Sequence, residues 1–237
     1  MREPNRNRGS IFVTGTDTGV GKTVLSLLLM RFFLMRGRTP FYLKPIQTGC
    51  VDAHDRDSDA RFIYEHVPAL AGKDPGDSVV YCFRSPKAPW FASGDEAEAI
   101  DPRKIAAYAE RKRSAHSHIV LEGAGGLFVP VTEDVLMIDL IALLNARPIL
   151  AARAGLGTIN HTILAVEALK ARRLDPLGIV FIDSGPTETP EQMVAENIEA
   201  VERFSGVKVA GTIGRIERWS EPGQECYRPL ARLFGKR

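Results

Sequence analysis

The stretch IFVTGTDTGVGKT, residues 11–23, passes abruptly from an apolar run to glycines, small hydroxyl residues and a single lysine. Ile11 to Val13 read as a short buried strand, and the apolar residues after Lys22 read as a helix, so the glycine-rich segment is a strand-to-helix turn. Gly15 to Thr23 reads GTDTGVGKT, a GxxxxGK[ST]-type turn with one extra residue between its outer glycines, in the strand-to-helix context that gives this pattern its meaning. Glycines let successive backbone N–H groups converge on phosphate oxygens, and the helix N-terminus adds about half a positive charge. Lys22 would bridge the terminal phosphates and the Thr23 hydroxyl would ligate Mg²⁺. A glycine-rich turn with no ligand needs neither of these residues. The pattern alone leaves kinase, GTPase, partitioning ATPase and ligase open.

Outward from this turn the alternation continues. Pro40 to Leu43, His118 to Leu121, Pro148 to Ala152, Leu177 to Ile182 and Val207 to Ile213 are short apolar runs that read as buried parallel strands. Between them, Lys22 to Arg36, Pro102 to Arg113, Leu136 to Asn145, Thr158 to Arg172 and Pro190 to Phe204 have helical length and composition. Such alternation implies right-handed βαβ units and an α/β fold: a single domain resembling P-loop NTPases, with a mainly parallel sheet and helices on both faces. The polar residues 1–9 read as a flexible N-terminal arm and residues 10–237 as the domain. Lys73 to Asp95 reads as an irregular insertion, and the last stretch of the chain has no clear assignment.

The 237 residues carry 31 basic and 29 acidic side chains, a net +2, so no strong field steers the chain toward nucleic acid or an anionic membrane. Small ligands are expected, with neither nucleic acid nor membrane as a partner. The most apolar stretch, Val24 to Met35, is broken by Ser26 and Arg31 and falls short of the roughly 20 residues a bilayer requires. Cys50, Cys82 and Cys226 are odd in number and far apart, which indicates no disulfide framework or zinc site and fits a reducing cytoplasm. The N-terminal residues lack the apolar region of a secretory signal.

In sheets of this type ligands sit beyond the carboxyl ends of the strands, so the loops after strands carry the chemistry. LKPIQTG, residues 43–49, places Lys44 at a strand end, with Pro45 fixing a turn and Thr48 close by. A site role there competes with a solvated surface lysine. DAHDRDSDA, residues 52–60, begins like a calcium loop, but counted from Asp55 the sixth position is not Gly and the twelfth is His66 rather than Glu. Either a polar loop runs into a helix here, or Asp59 at the helix start reaches Mg²⁺. HIVLEGAGG, residues 118–126, puts Glu122 at a strand end, where a buried carboxylate needs a cation or hydrogen-bond donors. GLGTINHT, residues 155–162, starts a helix that Thr158 can cap, with Asn160 and His161 in a first turn whose N–H groups favour an anion such as a carboxylate. His161 by itself reads as structural.

Taken together, GTDTGVGKT, KPIQTG, LEGAGG and GLGTINHT stand in the order and spacing of the dethiobiotin synthetase family, and the resemblance covers the chain from about residue 10 to 215. Asp17 stands where the partitioning ATPases of the same P-loop class carry an extra lysine. The resemblance implies a homodimeric cytoplasmic ligase of biotin biosynthesis, with Mg²⁺ as cofactor and ATP as co-substrate. It would join CO2 to 7,8-diaminopelargonate through a carbamate and a carbamic-phosphoric anhydride. It further implies that Gly19, Val20, Gly21, Lys22, Thr23 and Val24 hold the nucleotide together with Asp59, Glu122, Gly123, Ala124 and Gly125. Thr23, Asp59 and Glu122 would hold the metal. Lys44, Lys22 and Thr18 would be catalytic, and Thr18, Lys44, Thr48 and Asn160 would contact the substrate, Asn160 at its distant carboxylate.

Three positions depart from that family's pattern. Ile182 stands where an adenine-binding Asn is frequent, Gly214 replaces a usual proline, and Trp90 replaces a His in the middle insertion. These departures leave a nucleotide-dependent switch or partner-binding ATPase as an alternative, and a related ligase acting on another diamine or acid as a third.

Overall fold

Side chains alternating along β1 (Gly9–Gly15) define the layers: Phe12 enters one apolar cluster, and Ile11 and Val13 enter another on the opposite face. In this computed structural model the described residues are 9–183, 185 and 187–235. After β1 come α1 (Lys22–Met35), β2 (Pro40–Thr48), α2 (Asp59–His66), β3 (Val79–Phe83), α3 (Pro89–Asp95), α4 (Pro102–Ala115) and β4 (His118–Glu122). They are followed by α5 (Met137–Leu143), β5 (Arg147–Arg153), α6 (Thr158–Ala171), β6 (Ile179–Ile182), α7 (Glu191–Ser205), β7 (Val209–Ile213) and α8 (Arg228–Phe234). The strands form one sheet in the order β3-β2-β4-β1-β5-β6-β7, and every strand pair in it is parallel.

Both faces of this sheet are covered. Leu25, Ile63 and Leu230 of α1, α2 and α8 pack on the face that receives Val13, Ile149 and Val180. Ile105, Ile138, Val166 and Val201 of α4 to α7 pack on the face that receives Phe12, Leu150 and Phe181. α1 is apolar nearly all round because it runs inside the molecule, from Lys22 to Phe33 largely buried. α4 starts at a capped turn, where the Asp101 carboxylate accepts the Arg103 N–H at 2.8 Å and Pro102 occupies the first turn.

The chain leaves central β1 toward β2 on one side, and leaves β4 toward β5 on the other, which opens a crevice at the carboxyl ends of β1 and β4. Register decides what faces that crevice. Val13 pairs with Glu122, and the Gly123 N–H bonds to the Val13 carbonyl at 3.0 Å, so the acidic end of β4 lies beside the turn that follows β1.

Four features differ from the sequence reading. Lys73 to Asp95 is not irregular throughout, because VVYCF forms β3 at the sheet edge and Pro89 to Asp95 form α3. Pro45 does not turn the chain: β2 pairs with β4 only through Leu43, then continues to Thr48 beside β3 alone, an edge setting that tolerates a residue without an N–H. The last stretch of the chain contains α8, whose Leu230 fills the core against β7. Of the expected arm, residues 1–8 lie outside the described residues, and Gly9 opens β1.

Candidate active site

The turn after β1 closes with Gly21 at φ 87°, directly before α1. A Cβ there would lie 2.6 Å from Ile182 Cγ2, so both the backbone conformation and the space demand glycine. The Lys22 side chain folds back over the turn, its ammonium donating to the Asp17 carbonyl at 2.8 Å. Burial, followed by the nearby Lys44 charge, pulls Lys22 down to about 8.

Three oxygens converge beside it. Thr23 Oγ1 stands 2.8 Å from Asp59 Oδ1 and 2.8 Å from Glu122 Oε1. Each comes from a different part of the fold: the first turn of α1, the first residue of α2 and the last of β4. Asp59 is fixed from two sides. Ser58 caps α2 by accepting the Arg61 N–H, and the Gln47 carboxamide oxygen accepts the Asp59 N–H at 3.2 Å.

Lys44 bridges the two carboxylates, its ammonium 2.6 Å from Asp59 Oδ2, 3.0 Å from Glu122 Oε1 and 3.2 Å from the Gly123 carbonyl. Burial alone would pull this ammonium down, but the Asp59 and Glu122 carboxylates outweigh it and hold Lys44 above its ordinary value. Desolvation opposes ionisation of Asp59 as well, and the Lys44 charge overcomes it and lowers that carboxyl. Removing either sign would leave buried charge unpaired, a costly arrangement.

These groups line one cavity of about 670 Å³. Of the residues expected from the sequence, Thr18, Gly19, Gly21, Lys22, Thr23, Val24, Lys44, Thr48, Asp59, Glu122, Ala124 and Gly125 border it. Val20 is instead buried in the core, and Gly123 contributes through its carbonyl bond to Lys44. Asn160 is not part of this lining: it lies exposed in the first turn of α6. Thr158 does not cap α6 either, since Gly157 holds the cap position and the Thr158 hydroxyl bonds to that of Thr162 at 3.1 Å.

Ile182 and Gly214 border a second cavity of about 740 Å³, together with Arg215, Glu217 and Trp219. Val24 faces both cavities, so the two family departures meet next to the phosphate turn. Trp90 borders neither: it is stacked on Phe91, and its main-chain N–H donates to the Pro130 carbonyl at 3.2 Å.

Several contributors escape the sequence reading. Asp17 accepts the Thr18 N–H at 2.7 Å and pairs at 3.1 Å with Arg153 from the end of β5, which braces the phosphate turn. Pro86 to Pro89 form a cavity wall, and the flanking prolines are the one local hint of it. The Tyr42 hydroxyl donates to Glu122 Oε2 at 3.0 Å. Burial, then the Glu122 charge, raises its pKa well above the ordinary value, so it stays a donor.

Comparison with known proteins gives the family. A family model described as an AAA domain matches residues 9–222. The chain is 40% identical over 181 residues to the ATP-dependent dethiobiotin synthetase of Anaeromyxobacter dehalogenans, covering 76% of this chain and 79% of that one. It is 35% identical over 208 residues to that of Halalkalibacterium halodurans, covering 86% and 84%. A biotin biosynthesis bifunctional protein of Bordetella avium is 40% identical over 214 residues, 90% of this chain but 41% of that longer protein. Among solved structures, the MinC:MinD cell division complex of Aquifex aeolicus aligns at a TM-score of 0.60 and 14% identity over 97% of this chain and 96% of that one, a likeness of fold. By sequence, the chain belongs to the ATP-dependent dethiobiotin synthetase family.

Proposed function

We propose that the chain makes dethiobiotin in biotin biosynthesis, joining CO2 to 7,8-diaminopelargonate at the expense of ATP. The observation that carries this reading is the meeting of a phosphate-binding turn, a buried ammonium and two carboxylates in one cavity. One amine adds to CO2 and loses a proton to give a carbamate. A carbamate oxygen takes the γ-phosphoryl group and ADP leaves. The second amine then attacks the carbonyl carbon, phosphate leaves, and the ring is closed.

The chain's own part is positioning and charge. The amides of Gly19 to Thr23 and the Lys22 ammonium hold the triphosphate. Lys44 faces the negative charge that builds on the carbamate and the transferring phosphoryl group. Thr18 and Thr48 border the same space and orient the amines. Thr23 Oγ1, Asp59 Oδ1 and Glu122 Oε1 form a hard oxygen set within 2.8 Å of the hydroxyl, with no sulfur or imidazole, and this suits Mg²⁺. Bound there, Mg²⁺ would neutralise phosphate charge.

Asn160 lies outside the cavity of its own chain, close in sequence to Leu156, which is 93% exposed, and to exposed Leu164. A two-fold dimer that covers these leucines is our account of how Asn160 meets the substrate carboxylate. Sedimentation at micromolar concentration should give twice the chain mass, and a monomer that is fully active would reject the dimer. No helix among the described residues is long and apolar enough to cross a membrane, and a cytoplasmic setting suits these substrates.

Incubation with 7,8-diaminopelargonate, bicarbonate, Mg²⁺ and ATP should yield dethiobiotin by mass spectrometry. Absence of product with any of the four common nucleoside triphosphates would overturn the reading. A switch or partner-binding ATPase draws support from the departures at Ile182 and Gly214 and from a likeness of fold, and a lysine at the position of Asp17, as expected in the partitioning ATPases, could not make the ion pair that Asp17 makes with Arg153.

A further inference from the structure

β2 carries, two residues before Lys44, a tyrosine whose ring is sealed inside the apolar layer beneath α1. Tyr42 is 1% exposed and borders neither cavity beside the phosphate turn, so it contacts no ligand directly. Its hydroxyl nevertheless reaches the site through Glu122. The two oxygens of that carboxylate are divided: Oε1 faces Thr23 and Lys44, and Oε2 accepts the Tyr42 hydroxyl.

A glutamate's terminal torsion is broad, so a carboxylate presented at a strand end does not fix its own plane. A donor on the rear oxygen does. The main chain of Tyr42 is tied to the other carboxylate's helix as well. Its carbonyl accepts the Ser78 hydroxyl at 2.7 Å, and Ser78 pairs at 2.9 Å with the Tyr64 hydroxyl of α2, the helix that begins at Asp59. One residue of β2 thus holds the rear of Glu122 and is linked through two hydroxyls to the element that carries Asp59.

We propose that Tyr42 is a positioning residue of the metal site: its hydroxyl sets the plane of Glu122, so that Oε1 meets the cation beside Thr23. The proposal rests on the metal reading given above for Thr23, Asp59 and Glu122. Partners behind a ligating carboxylate commonly change metal affinity about 10- to 100-fold when removed.

Tyr42→Phe removes the hydroxyl and keeps the ring. Mn²⁺ titration followed by electron paramagnetic resonance, in the presence of a non-hydrolysable ATP analogue, should show Mn²⁺ binding weakened about tenfold or more. Analogue binding in chelator should be unchanged, which verifies the fold. In a Glu122→Gln background the same substitution should have no further effect on Mn²⁺, because Tyr42 acts through that carboxylate. Mn²⁺ affinity unchanged by Tyr42→Phe, an equal loss in the Glu122→Gln background, or a wild-type protein that binds no Mn²⁺ would each overturn the proposal. A wild-type protein that binds Mn²⁺ as described yet forms no dethiobiotin would refute the function and leave the role of Tyr42 standing.

Discussion

Lys44 sets one buried ammonium against Asp59, Glu122 and the Gly123 carbonyl, and the proposed reading gives it the central catalytic role. Lys44→Ala should cut dethiobiotin formation by ~100-fold or more, the scale of losing one preorganised charge at a transition state. Triphosphate binding, which the proposed reading gives to Lys22 and the backbone of the turn, should change little. Turnover by steady-state kinetics and binding by a fluorescent nucleotide separate the two, and near-normal turnover would remove Lys44 from the mechanism. Lys22, Thr23, Lys44, Asp59 and Glu122 are legible in the sequence because glycines, prolines and apolar runs mark where strands end and helices begin. Tyr42, Gln47 and Arg153 are not legible in this way. Tyr42 reads as one more apolar strand residue, and its bond to Glu122 exists only because β2 and β4 are neighbours. Arg153 becomes a brace only once β5 lies against β1.

At the scale of elements, the junction of β1 and α1 tolerates least change. Gly21→Ala would put an L-residue at φ 87° and drive its Cβ into Ile182 of β6. The backbone strain alone costs roughly 1–2 kcal/mol, so triphosphate affinity should fall about tenfold or more, measured by calorimetry. Unchanged affinity would show that the turn does not hold the nucleotide. The opposite end of the sheet bears on stability instead. His118 opens β4 and stacks on Phe33 of α1 with ring centroids 4.1 Å apart. Burial, followed by the Arg38 charge, holds His118 below its ordinary value, and burial does the same to neighbouring His116. In the unfolded chain both titrate near about 6.5. As pH falls through that value the unfolded chain takes up protons that the folded one resists, so stability present above about 6.5 is progressively lost below it. The urea midpoint should drop between about pH 7.5 and 5.5. His118→Phe, which keeps the stack, should shrink that drop, and an equal drop in the variant would exclude His118 as a source. The main strands and the longer helices follow from the punctuation of the sequence. The course of β2 through Pro45 does not, because it depends on β4 ending at Glu122 while β3 continues alongside.

The whole molecule sets a ligase site on a sheet whose solved likenesses include a cell division ATPase, so fold alone does not select the reaction. The order and spacing of four loops point to the reaction, and three of them, GTDTGVGKT, KPIQTG and LEGAGG, border the cavity at the crevice, whereas GLGTINHT lies outside its lining. Which atoms meet across the crevice depends on strand register, and in the proposed dimer a second copy of the chain would bring Asn160 to the substrate. The most direct test of the central claim, that one cavity couples phosphoryl transfer to closure of the dethiobiotin ring, is to quantify phosphate and dethiobiotin in the same reaction. The account predicts equimolar release, with phosphate formation collapsing when 7,8-diaminopelargonate is omitted. Phosphate released at an undiminished rate without the diamine, or in large excess over dethiobiotin, would contradict it.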